Sequence, residues 1–98
     1  MLQLTREQAI EIGQSGIWKT WTSEQVVKFQ LYQTMLCMDF SHFHKCVEEI
    51  FGRPVFTHEF ANSESLQAEF EGKKSKPTLQ EILDLLPKDK TLLIVAKG

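Results

Sequence analysis

The chain has 98 residues, with 11 lysines and arginines against 13 aspartates and glutamates, for a net charge of −2. That length suits one domain with one core, so residues 1–98 are read as a single domain. The 42% hydrophobic and 24% charged content excludes a disordered chain, and the mild acidity supplies no field to hold a polyanion, which disfavours nucleic-acid binding.

Thr5 and Gln8 have the spacing of a capping box and open a first short helix, which Gly13 and Gly16 stop. The loop-like stretch 15–21 carries both tryptophans, Trp18 and Trp21. Thr22 and Gln25 form a second capping box. In the run 26–37, Val27, Phe29 and Leu31 alternate with Lys28 and Gln30 as in a strand, but the cap and the length favour a helix, and we read a helix. Ser41 is the expected cap of a central helix whose Phe43, Cys46, Val47, Ile50 and Phe51 share one face. Gly52 ends it in the left-handed conformation, Pro54 forbids continuation, and 53–58 reads as extended, a candidate short strand.

Asn62 or Ser63 opens another short helix, carrying Leu66 and Phe70 and ended by Gly72. Residues 72–77 form a polar linker within the domain, expected to be mobile. Thr78 and Glu81 make a third capping box, Leu79, Ile82, Leu83 and Leu86 an apolar stripe, and Pro87 stops the helix. Residues 91–96 are apolar and β-branched and read as a buried strand. The predicted fold class is α+β: four to five short helices with a small sheet of one to three strands. A lone strand cannot satisfy its own backbone. Residues 91–96 must therefore pair with 53–58, with 26–31 or with a second copy, and this apolar edge predicts a homodimer.

Only two cysteines are present, Cys37 and Cys46, too few to staple a small secreted domain. The N-terminal sequence shows no basic region followed by an apolar run, and no stretch approaches the length of a membrane span. These features predict a cytoplasmic protein with no membrane association.

The densest chemistry lies in 37–46, with His58 and Glu59 downstream. Cys37, His42, Cys46 and His58 are ligand types that zinc accepts, but their spacing matches no zinc pattern, and Cys46 falls within an apolar stripe where a thiol acts as a small hydrophobe. No metal and no cofactor is therefore expected. Thiol catalysis would need a base and an oxyanion hole, and no glycine-rich turn supplies the latter. His58-Glu59 does not open a zinc-protease motif, because Asn62 stands where the second histidine is required. No catalytic residue is assigned. Trp18 and Trp21 suit a contact surface as large side chains with a donor, although a small core also needs them. Lys73, Lys74 and Lys76 have no interleaved aromatics and read as a solvated linker.

The stretch 36–61 contains Leu-Cys-Met-Asp-Phe, then His44 and Glu48-Glu49, then Gly52-Arg-Pro-Val-Phe-Thr-His-Glu59. It resembles a group of small uncharacterised proteins of phages and prophages that carry a similar segment after a short helix. The likeness covers about a quarter of the chain and neither end. No activity comes with it. It implies a phage or mobile-element accessory protein.

The residues themselves give the segment a scaffold reading as well, with Val55 and Phe56 re-entering the core and Thr57 capping a helix. The expectation is a non-enzymatic accessory protein that binds a host or phage protein, with Trp18, Trp21, Arg53, His58 and Glu59 as candidate partner-binding residues. The competing readings are a nucleic-acid-binding regulator and a small zinc protein built on the histidine–cysteine cluster.

Overall fold

The computed structural model describes residues 3–86. They form five α-helices: α1 (Arg6–Ser15), α2 (Ser23–Gln30), α3 (Phe40–Phe51), α4 (Ser63–Lys73) and α5 (Leu79–Leu85). Two 3-10 turns, Ile17–Thr20 and Thr57–Ala61, lie between them.

Local sequence sets most helix starts. In each of the three capping boxes the threonine hydroxyl accepts a backbone N–H three residues on, and the Gln8, Gln25 or Glu81 side chain accepts the threonine N–H in return. Asn62 caps α4 by accepting the Ser65 N–H. Gly16 and Gly52 end α1 and α3 with φ of 72° and 68°, where a side chain would strain the backbone. Three boundaries differ from expectation. α1 passes through Gly13 to Ser15. The cap of α3 is Asp39, whose carbonyl accepts from His42 and Phe43, rather than Ser41. α4 runs through Gly72 to Lys73, and the Lys74 N–H still reaches Phe70 O at 2.8 Å. The expected linker 72–77 is therefore helix at its start, and its Pro77 is buried.

α2 and α3 form the central pair. α1 contributes Ala9 and Ile12 to the core, and α4 contributes Leu66 and Phe70. α5 lies against α2 through Ile82 and through Lys28, whose amine reaches Glu81 at 2.7 Å and Glu24 at 3.4 Å. From Val26 to Gln30 every residue of α2 is buried. A helix covered on all sides shows no polar stripe at helical period, which is why 26–31 resembles a strand in sequence. The helix reading holds to Gln30; residues 31–38 turn instead.

The α+β expectation fails. Among the described residues there is no strand and no sheet. The segment 53–58 is extended only before the Thr57–Ala61 turn, and side chains take the backbone groups a neighbouring strand would use. Val55 N–H donates to Glu48 at 2.9 Å, Val55 O bonds to His44 Nε2, and Phe56 N–H donates to Glu59 at 2.9 Å. The predicted strand 91–96, and the dimer edge it was to form, lie outside the described residues. Among those residues no helix is long and apolar enough to cross a membrane.

Candidate functional site

The segment 52–61 is a short turn with unusually many fixed points. Gly52 reverses the chain as α3 ends. Val55 enters the core at 2% exposure, with its backbone gripped by His44 and Glu48, one turn apart on α3 and 3.4 Å from each other. Extended backbone sends alternate side chains to opposite sides, so Phe56 points outward. At 64% exposure it is the most exposed large hydrophobic residue among those described. The expectation that Phe56 re-enters the core with Val55 is therefore wrong. Its ring stacks on His58, with centroids 5.8 Å apart and planes 11° apart.

Arg53 locks this geometry. Its guanidinium donates to both Glu69 oxygens at 3.0 and 2.8 Å and to both Glu59 oxygens at 2.9 and 3.3 Å. It also donates to Pro54 O at 2.9 Å. Paired forks of this kind fix orientation as well as charge. Glu69 belongs to α4, so the fork ties the turn to a second helix. Hydrogen bonds from Arg53 hold the carboxyls of Glu59 and Glu69 below the ordinary glutamate value, with the Phe56 N–H adding to the effect at Glu59.

A carboxyl depressed on folding adds stability above its unfolded pKa, and that contribution is lost as pH falls through the folded value. The clamp is thus complete above the ordinary value of 4.5 and weakens below it. Carboxyl carbon NMR should place both midpoints below 4.5 in the natural chain and raise both in Arg53→Gln. Midpoints indifferent to that substitution would show that the fork does not hold them.

Beside the turn runs an open groove of about 150 Å³. Its apolar lining includes Leu31, Leu36, Phe40, Phe43 and Phe60, with Gln30, Gln33, Thr34 and Ser63 completing it. Phe60 packs on Phe40, Phe43 and His44 at centroid distances of 5.0 to 5.4 Å. The turn that displays Phe56 thus also supplies a wall of the groove. Leu36 and Met35 extend the apolar surface at 53% and 41% exposure.

The five sequence-derived contact residues separate. Arg53, His58 and Glu59 come together in the turn, with His58 outward and the other two as braces. Trp18 lies in the core, 4.9 Å from the His42 ring, its indole N–H donating to Gly13 O at 3.1 Å. Trp21 half-covers Phe29 at 5.0 Å. Neither tryptophan adjoins the turn in any ring contact or hydrogen bond. Sequence reasoning missed Phe56, Glu69 and the groove. The alternation of Val55 and Phe56 was a usable signal for the first, whereas Glu69 and the groove come only from tertiary packing.

The four zinc-type residues do not converge. Cys46 Sγ lies 3.8 Å from His42 Nε2, but Cys37 is buried against Met35 O and His58 stands on the exposed turn. Among the described residues no three of His, Cys, Asp or Glu are placed to hold a metal ion. Burial pushes the Cys37 thiol up to about 12 and raises that of Cys46, which keeps both protonated and poorly nucleophilic. Lys74 is engaged by Glu24 at 3.4 Å.

The family model described as Domain of unknown function (DUF7736) matches residues 24–72, half of the chain. The chain belongs to this family. The DUF7736 stretch contains α3, the clamped turn, every residue lining the groove and Glu69 of α4. α1 and α5 fall outside it. No curated protein and no solved structure matches the chain.

Proposed function

We propose that the protein is a non-enzymatic accessory factor that works by binding another protein, with the clamped turn 52–61 as its contact surface. The observation that carries this reading is Phe56, held outward at 64% exposure on a turn whose backbone is fixed on both sides. Leaving a phenylalanine in water forfeits about 1.5–3 kcal/mol of burial, which a partner can recover. Because the turn is already ordered, little conformational entropy remains to be lost on docking. Aromatic anchors of this kind dominate protein interfaces. The resemblance of 36–61 to phage and prophage proteins supports a role in a mobile element within a bacterial cytoplasm, acting as inhibitor or modulator of a host or phage protein.

The test is capture from bacterial lysate by the immobilised chain, run beside Phe56→Ser. A protein retained in stoichiometric amount by the natural chain and lost by the variant is the expected outcome. Retention indifferent to Phe56, or no retention at all, would sink the proposal.

A further inference from the structure

We draw no further inference here: the strongest candidate, the open groove between α2, α3 and the Thr57–Ala61 turn with Leu31, Leu36, Phe40, Phe43 and Phe60 in its lining, is an unpartnered apolar face, and nothing in the structure shows what covers it.

Discussion

Phe70→Ala is expected to cost about 3–5 kcal/mol in urea denaturation, the range for truncating a fully buried phenylalanine. Phe70 is 0% exposed and meets Tyr32 edge-to-face at 6.5 Å. α4 makes the effect large. Its only buried residues are Leu66 and Phe70, so these two side chains are its apolar anchorage, beside the hydrogen bonds of Gln67, Glu69 and Glu71. A domain of this size has about 5–15 kcal/mol in total, and the variant loses a substantial share of it. The consequence reaches the candidate site, because Glu69, next to Phe70, is half of the Arg53 clamp. Loosening α4 should therefore raise the Glu69 carboxyl midpoint toward 4.5 as stability falls. A loss below about 1 kcal/mol would mean that α4 is held by something other than its two buried side chains.

The helix starts were legible because they are local chemistry. Thr5–Gln8, Thr22–Gln25 and Thr78–Glu81 each close within three residues, and no distant contact is needed to form them. Gly16 and Gly52 were legible for the same reason. Among the described residues there was no sheet to be read. The stretch around Val55 is extended, but Glu48, His44 and Glu59 stand in for the neighbouring strand, and sequence spacing carries no mark of that substitution. α2 was ambiguous for a different reason, although the helix reading held to Gln30: over 26–30, with Lys28 and Gln30 buried beside Val27 and Phe29, there is no solvent face to print a period.

At the site, half of the clamp was in view. Arg53 and Glu59 are six residues apart, and both were singled out together with His58. Glu69 completes the clamp from another helix, so nothing near Arg53 in the chain predicts it. Trp18 was drawn by its residue type toward the surface and by core demand toward the interior. The Gly13 carbonyl satisfies its N–H, which lets the indole be buried without an orphaned donor. Phe56 shows the reverse: an aromatic assigned to the core by type and sent outward by backbone alternation.

The end of the turn between α2 and α3, at Met35 and Cys37, is held by the Gln30 side chain, and Gln30→Leu should show it with a loss of about 2–4 kcal/mol in urea titration. Gln30 is 5% exposed. Its Nε2 donates to Met35 O at 2.9 Å, and its Oε1 accepts the Cys37 N–H at 2.7 Å. One amide thus supplies both a donor and an acceptor to a backbone that has turned away from any helix or strand. Leucine has nearly the same volume and fits the apolar surroundings, so the packing term should be small. What remains is the desolvation of two backbone groups left without partners, at about 1–3 kcal/mol each. Cys37 is 0% exposed, so water cannot easily replace the lost acceptor. Leu36 lies between the two anchored residues and lines the groove. Release of the turn should therefore weaken any association that uses Leu36, beyond its effect on stability. A Gln30→Leu chain within about 0.5 kcal/mol of the natural one would show that the turn holds its own backbone without the amide. A loss of stability with unchanged association would separate the turn's structural role from the groove.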